Sequence, residues 1–137
     1  MVHRPWYASA TNNSGNICGP CQKAFEQTFI DHSVDLVLAG HDHFYERNMP
    51  IANGVIDTAS LNNPRAPWYI TNGVGGHWSG LQAFNPPMRP WSVFGLDTVY
   101  GWSKLSFHNC THMTHDFVAS ANSTVLDTAT LFKDRKC

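Results

Sequence analysis

Long apolar runs are missing from this 137-residue sequence. No stretch approaches the roughly 18 to 20 apolar residues that a membrane-spanning helix needs, so we expect no membrane partner. The opening residues MVHRPWYASA also lack the apolar core of a secretory signal peptide. The glycine-rich stretch NGVGGHWSG contains neither G-x-G-x-x-G nor G-K-[ST], which excludes the common nucleotide-binding loops.

Charge is also scarce, because charged residues make up 14% of the chain and the net charge is −1. A nearly neutral chain argues against nucleic acid as a partner. The eight histidines change this balance with pH, since their reference pKa of about 6.5 would take the net charge to roughly +7 at pH 5. An acidic environment would therefore favour an anionic substrate. The 42% hydrophobic content is typical of one globular domain.

Cysteine is limited to four residues, and three N-glycosylation sequons begin at Asn12, Asn109 and Asn122. This combination indicates the secretory pathway and a secreted or extracellular protein. The pair Cys18 and Cys21 has the C-G-P-C form of a redox motif, but an oxidising compartment favours a structural disulfide. The pairing of the other cysteines stays open. The sequons indicate export, but no export signal opens the sequence. We therefore expect that Met1 is not the original start of the protein.

One amphipathic helix is predicted near the start, in GPCQKAFEQTFIDHS. Phe25 and Phe29 are one turn apart and predict the buried stripe, with Glu26 on the polar side. The run from 34 to 40 predicts a strand that is buried on both faces of a central sheet. Asn53-Gly54 is typical of a hairpin turn, Trp68 to Thr71 predicts a strand, and the last third reads as β. The sequence thus predicts a β-rich α/β fold.

Two histidines follow the predicted strand in AGHDHFYERNMP. In open α/β sheets, sites collect at the carboxyl ends of strands, and imidazole suits zinc and iron. His41 and His43 are therefore candidate metal ligands. His3 is a further candidate, because Pro5 favours an extended segment there. The alternatives are two loop histidines without a partner and a frayed N-terminus.

Taken together, HRPWY, AGHDHFYERNMP, YITNGVGG and the closing LSFHNCTHMTHDFVASANSTVLDTATLFK resemble the C-terminal part of the purple acid phosphatases. This family lies in the calcineurin-like metallophosphoesterase superfamily, and the likeness is to its fungal and plant-like branch. It implies the C-terminal half of an α-β-β-α sandwich. Residues 1–64 would end the catalytic domain, and residues 65–137 would be the C-terminal region that completes the sandwich.

The resemblance also implies a dinuclear metal centre with ferric iron and a second ion of iron, zinc or manganese. His3 and His41 match ligands of the divalent ion, and His43 matches a ligand of the ferric ion. A metal-activated hydroxide would hydrolyse a small-molecule phosphomonoester. Glu46 and Arg47 complete the YER motif, where we expect an ion pair that braces the loop.

The family's GDxG, GDxxY and GNH motifs are absent from this sequence. We therefore expect a fragment that lacks the N-terminal ligands and is inactive alone, with its catalytic acid unassigned. The competing interpretation is a non-catalytic, secreted and glycosylated module that binds one metal or none. The sequence predicts neither the substrate nor the oligomeric state.

Three further features each allow two interpretations. His108, Cys110 and His112 would share one face of a strand and could form a zinc site. An exposed sequon at Asn109 and a disulfide-bonded Cys110 are the favoured interpretation of this stretch. His77 faces either substrate or solvent. The five tryptophans are expected to pack inside the fold, and that set is Trp6, Trp68, Trp78, Trp91 and Trp102.

Overall fold

A computed structural model describes residues 1–9, 17–84 and 86–136. In chain order these residues form α1 (Gly19–Asp31), β1 (Leu36–Ala39), β2 (Tyr45–Asn48), β3 (Ile51–Ala52), β4 (Val55–Ile56), β5 (Trp68–Asn72), β6 (Ser92–Leu96), β7 (Gly101–Phe107), β8 (His112–Ala119) and β9 (Val125–Phe132). Within this part of the chain, no helix combines the length and the apolar character needed to cross a membrane.

The strands form a four-stranded sheet in the order β1-β5-β2-β6, a three-stranded sheet in the order β7-β8-β9, and the β3-β4 hairpin. β1 and β5 are parallel, whereas β2 is antiparallel to β5 and β6. The three-stranded sheet is antiparallel throughout. This strand-rich α/β arrangement with a helix near the start agrees with the fold class that the sequence predicts.

β5 shows why the chain folds into three layers. Its alternating residues point to opposite faces of the sheet. Trp68 and Ile70 pack with Phe117 of the three-stranded sheet. Tyr69 belongs to the cluster on the other face, where Phe29 of α1 also packs. The four-stranded sheet therefore lies between the helix and the second sheet.

The hairpin turn at Asn53-Gly54 is confirmed. β3 and β4 flank it, and both turn residues have positive φ, +51° at Asn53 and +77° at Gly54. Two consecutive left-handed residues are what a tight two-residue hairpin requires, and this explains the Asn-Gly pair.

The predicted face of α1 is wrong. Phe25 is 54% exposed, whereas Glu26 is buried at 6%. Glu26 accepts a hydrogen bond from the Tyr7 hydroxyl at 2.5 Å and another from the Asn53 N–H at 3.0 Å. These bonds replace the water that the carboxyl group loses, so a polar residue occupies the inner face. Phe29 does face inward and stacks on Trp6.

β1 also differs from its prediction. It lies at one side of the four-stranded sheet, and Val37 alone of its residues is buried. The opening segment runs beside it, because Val2 N–H donates to Leu38 O and Gly40 N–H donates to His3 O. β6 was not predicted at all, since its residues follow a proline-rich stretch with no clear alternation.

The two sheets are joined by a buried polar cluster around Asp127 of β9. Its carboxylate accepts hydrogen bonds from the Tyr45 hydroxyl at 2.7 Å and from the Arg47 guanidinium at 2.7 and 2.9 Å. Burial alone would raise the pKa of Asp127, but the bonds from Arg47 and Tyr45 hold it below its ordinary value. The ionised carboxylate therefore connects β2 directly to the second sheet.

Replacing Asp127 by alanine should leave the Arg47 guanidinium buried without its counter-charge. We expect D127A to lower the free energy of unfolding by about 3–5 kcal/mol, measured by urea denaturation at pH 7. Lys104 and Asp116 form a more exposed pair at 3.7 Å, so K104A serves as the control and should cost less than about 1 kcal/mol. Equal losses in the two variants would contradict the structural role of Asp127.

His115 is a second buried polar group between the sheets. It is fully buried, its ring stacks parallel to Tyr45, and its Nε2 lies 2.9 Å from Ser103 Oγ. Burial lowers the pKa of His115 to about 4, while the charges of Asp127 and Arg47 shift it in opposite directions. The imidazole is therefore neutral in the folded chain at neutral and mildly acidic pH.

This neutrality makes stability depend on pH. The unfolded chain takes up the proton near pH 6.5, whereas the folded chain takes it up near pH 4. The contribution of His115 to stability is therefore complete above pH 6.5 and is lost as the pH falls from 6.5 to about 4. The total loss from His115 should be about 3 kcal/mol, read from urea unfolding between pH 7 and 4. H115Q should flatten this dependence, whereas H108Q, at an exposed position, should leave it unchanged. An unchanged slope in H115Q would refute the assignment.

Candidate metal site

Three histidines line one open cavity of about 610 Å³ at the carboxyl ends of β1 and β5. They are His3, His41 and His43, the residues that the sequence predicts as ligands. Asn72, Gly73, Gly75, Gly76, His77 and Gln82 complete the lining. The structure therefore brings the three candidate histidines together from two separate segments of the chain.

Backbone contacts explain how His3 reaches the others. The bond from Gly40 N–H to His3 O, at 3.1 Å, holds the opening segment against the loop that follows β1. His41 then adopts a left-handed backbone with φ of +66°, which reverses the chain sharply. On the other side of the loop, a Cβ at Gly73 would lie 1.9 Å from Asp42 O, so only glycine fits at that contact.

His3 and His41 form a close pair. His41 Nδ1 lies 3.0 Å from His3 Nε2, and the ring planes are 75° apart. Two nitrogen ligands on one tetrahedral zinc ion lie about 3.3 Å apart, because each Zn–N distance is about 2.0–2.1 Å. The contact is a hydrogen bond, so one of the two nitrogens carries a proton that it must lose before both can bind one ion at nearly this spacing. Burial, followed by the nearby charge of Arg4, lowers the pKa of His41, which favours the neutral imidazole.

His43 is oriented differently. Its Nδ1 lies 2.9 Å from Gly80 O, and because a carbonyl can only accept, Nδ1 carries the proton. The lone pair is therefore on Nε2. Metal-binding histidines commonly donate their other ring N–H to a backbone carbonyl in this way. Two bonds with Gln82 fix the backbone, since His43 N–H donates to Oε1 and Gln82 N–H donates to His43 O.

A metal pair fits these residues only in part. In the described ranges, no group of three His, Cys, Asp or Glu side chains is arranged around a single point. The arrangement is a pair, His3 with His41, and a separate donor, His43. Asp42 between them is fully buried and does not line the cavity. The described residues thus supply imidazole ligands without a carboxylate that could bridge two ions.

Glu46 and Arg47 do not form an ion pair with each other, as neighbouring residues on a strand point to opposite faces. Arg47 pairs with Asp127 instead. Glu46 is fully buried and accepts bonds from Ser9 N–H at 2.7 Å and Ser9 Oγ at 2.6 Å. Burial raises the pKa of Glu46, and the bonds from Ser9 oppose that rise. Both residues brace β2 from outside the cavity.

Two lining residues were missed from the sequence. Asn72 ends β5, and its position at the carboxyl end of a strand was a usable signal. Its Nδ2 donates to Ser103 Oγ at 2.8 Å, which links the cavity to the polar group at His115. Gln82 carries no comparable signal, because it lies in an irregular segment of the chain.

The other candidate positions separate into four outcomes. Cys18 and Cys21 form a disulfide at the start of α1, as predicted, and Cys110 is disulfide-bonded too. Asn109 and Asn122 lie in exposed turns, so their glycosylation stays a prediction that glycopeptide mass spectrometry would test. Asn12 lies outside the described residues. The expected burial of Trp78 and Trp102 is wrong, because these side chains are 92% and 48% exposed.

Comparisons with known proteins agree with this fold. The family described as iron/zinc purple acid phosphatase-like protein C matches residues 66–128. Acid phosphatase A of Cryphonectria parasitica is 35% identical over 131 residues, which is 96% of this chain and 25% of that protein. Phosphoenolpyruvate phosphatase of Allium cepa is 39% identical over 119 residues, covering 82% of this chain and 24% of that protein.

A solved structure shows the same likeness. The purple acid phosphatase PPD1 from yellow lupin seeds superposes with a TM-score of 0.86 at 25% identity, over 97% of this chain and 24% of the lupin chain. The layered fold is that of a metallophosphoesterase C-terminal portion. Within that class, the chain is related to the purple acid phosphatases and matches their C-terminal portion. It spans about a quarter of the length of the relatives it matches.

The ligand geometry predicts that the 137-residue chain binds zinc. Isothermal titration with Zn²⁺ should show that H3A and H41A each weaken the tightest site by at least about tenfold, because each removes one nitrogen of the close pair. H43A should affect that site less. H32A removes an exposed histidine at the end of α1 and should have no effect. Equal losses in H32A and H41A would contradict a site at the pair.

Proposed function

We propose that this chain provides the histidine ligands of an acid phosphatase that hydrolyses phosphomonoesters. The observation that carries the proposal is the geometry of the cavity. His3 Nε2 and His41 Nδ1 are spaced for one ion, and the bond to Gly80 O leaves His43 Nε2 as a separate donor. All of the relatives described above are phosphatases by name.

In this proposal, His3 and His41 hold a divalent ion of iron, zinc or manganese, and His43 holds ferric iron. When bound, such a metal pair would supply Lewis acidity to the phosphate oxygens and to a water molecule. The carboxylate ligands would come from sequence outside this chain, since its described residues place none in the cavity. Residues 1–64 and 65–137 would then be the last part of the catalytic domain and the region that completes its sandwich.

The chain's own residues have two tasks in the reaction. Gly80 O holds the ring of His43 and Gln82 holds its backbone, so the Nε2 lone pair is kept in one orientation. Burial, followed by the charge of Arg4, lowers the pKa of His41, which favours the neutral ring that can bind a metal ion.

We also propose that the protein is secreted. The Cys18–Cys21 disulfide and the exposed positions of Asn109 and Asn122 suit an oxidising compartment. The same features fit a second candidate function, a secreted module that binds one metal without catalysis. The close His3–His41 pair supports binding of one ion. The described residues that line the cavity include no carboxylate, which favours one ion over a metal pair in the chain by itself.

A chimera distinguishes the two functions. The chain would replace its matching segment in the Cryphonectria parasitica acid phosphatase, and hydrolysis of 4-nitrophenyl phosphate would be followed at pH 5. We expect activity in the chimera, a loss of more than about a hundredfold in H41A, and no loss in H32A. The isolated chain should show no turnover, because it lacks the family's GDxG and GNH motifs.

Two results would contradict the phosphatase proposal. One is a folded chimera, checked by circular dichroism, that is inactive while the isolated chain still binds Zn²⁺, which would favour the metal-binding module. The other is equal activity in the H41A and parent chimeras. Turnover by the pure chain would instead refute the part of the proposal that places the remaining ligands outside it.

A further inference from the structure

The Cys18–Cys21 disulfide closes a single turn at the start of α1, and hydrogen bonds already hold that turn. Gln22 N–H donates to Cys18 O at 2.9 Å, and Cys18 N–H donates to Pro5 O at 3.1 Å. The two cysteines are only three positions apart in the chain. Because the stabilisation by a disulfide grows with the loop that it closes, a role in stability does not account for this bond.

The first turn of α1 also stabilises one of the two sulfur atoms as a thiolate. Cys18 is the N-cap residue, and its Sγ accepts a hydrogen bond from Cys21 N–H at 3.3 Å. The N–H groups and the dipole at the start of a helix favour negative charge, and the thiolate is the nucleophilic form of cysteine. When the disulfide is open, Cys18 is therefore the reactive sulfur. The helical turn keeps Cys21 beside it, so that the bond can form again.

An open cavity of about 480 Å³ gives a thiol access to the disulfide. Cys18 and Cys21 line it together with Phe25, and both cysteines are only partly buried. Reactive cysteines lie in partly exposed, electropositive surroundings, whereas cysteines enclosed in a core are inert. The position of this disulfide is therefore that of a bond that can exchange.

The charge of the same cavity favours one kind of thiol. His3 and Arg4 line the cavity, and none of the described residues that line it is acidic. A cationic side chain at such a site attracts anions and repels cations. Glutathione has a net negative charge at neutral pH, whereas cysteamine is cationic. The cavity therefore suits a small anionic thiol of the glutathione type.

We propose that Cys18 and Cys21 form a thiol–disulfide exchange site for small anionic thiols. One thiolate attacks Cys18 Sγ, the disulfide breaks, and the electron pair leaves on Cys21 Sγ, which takes up a proton. A second thiolate attacks the sulfur of the first thiol, and Cys18 leaves as the stabilised thiolate. Two thiols are thereby oxidised to one disulfide while the chain is reduced to a dithiol. The reverse reaction, with the small disulfide as oxidant, restores the chain.

A reaction of the oxidised 137-residue chain with reduced glutathione tests the exchange. The chain would be incubated at pH 7 with EDTA, alkylated with iodoacetamide and mapped by mass spectrometry. We expect alkylation of Cys18 and Cys21, no alkylation of the disulfide-bonded Cys110, and an unchanged far-UV circular dichroism spectrum. The matched control is the oxidised peptide of residues 17–23, which has the same two cysteines without the folded cavity.

A comparison of two thiols tests the cavity separately from the reactivity of the disulfide. The ratio of the rate with glutathione to the rate with cysteamine should be about three- to tenfold higher in the chain than in the peptide. R4Q should lower this ratio toward that of the peptide. K104Q removes an exposed cation on β7 and should leave the ratio unchanged.

Single-cysteine variants identify the attacked sulfur. With oxidised glutathione, C21S should form a mixed disulfide at Cys18 at least about fivefold faster than C18S forms one at Cys21, because the N–H bond stabilises the Cys18 thiolate. Equal rates would contradict the role assigned to Cys18. The reaction of the parent chain decides the exchange itself, whether or not these variants fold.

Three results would overturn the exchange site. The first is a bond that glutathione leaves intact while dithiothreitol in urea reduces it. The second is a chain that unfolds as the bond opens, which would identify a structural disulfide. The third is a thiol preference equal to that of the peptide, or equal in R4Q and K104Q. The phosphatase proposal is independent of all three, because the chimera tests it by ester hydrolysis.

Discussion

The buried carboxylate of Asp127 is the contact on which the rest of the structure depends. It accepts bonds from Tyr45 and Arg47 at once, and 80 residues separate it from Arg47. A buried ion pair gains little net free energy, because both charges lose their hydration. Its directional bonds nevertheless connect specific residues of β2 and β9, which lie in different sheets. The two sheets are thereby aligned by chemistry, while the apolar cluster around Phe117 supplies the bulk of the attraction.

That alignment reaches the histidines through the alternation of β2. Tyr45 and Arg47 face the second sheet, and Glu46 between them faces the other layer, where it binds Ser9. One short strand therefore attaches both the C-terminal sheet and the opening segment. The loop that carries His41 and His43 leads directly into this strand, so the C-terminal end of the loop is held in place. His3 lies on the segment that Glu46 helps to hold.

Much of this arrangement follows from local patterns, and the remainder depends on distant partners. The Asn53-Gly54 turn and the β5 strand are encoded by neighbouring residues, so the sequence predicts them. The partner of Arg47 is not predictable locally, because Asp127 lies in another sheet. The buried position of Glu26 has the same origin, since Tyr7 and Asn53 satisfy its carboxyl group. The sequence motifs predict the histidine cluster. The hydrogen bonds from His43 to Gly80 and Gln82 follow no local pattern and are seen only in the structure.

The histidines illustrate how a second bond decides the chemistry of a ring. A neutral imidazole has one donor and one acceptor nitrogen, so fixing one nitrogen fixes the other. Gly80 O assigns the proton of His43 to Nδ1, and Ser79 then assigns the proton of His77 to Nε2. One short segment thereby leaves the first histidine with a lone pair on Nε2 and the second with an N–H on Nε2. The same residue type serves opposite roles in one cavity because its neighbours differ, and a motif search that reads only histidine spacing does not distinguish them.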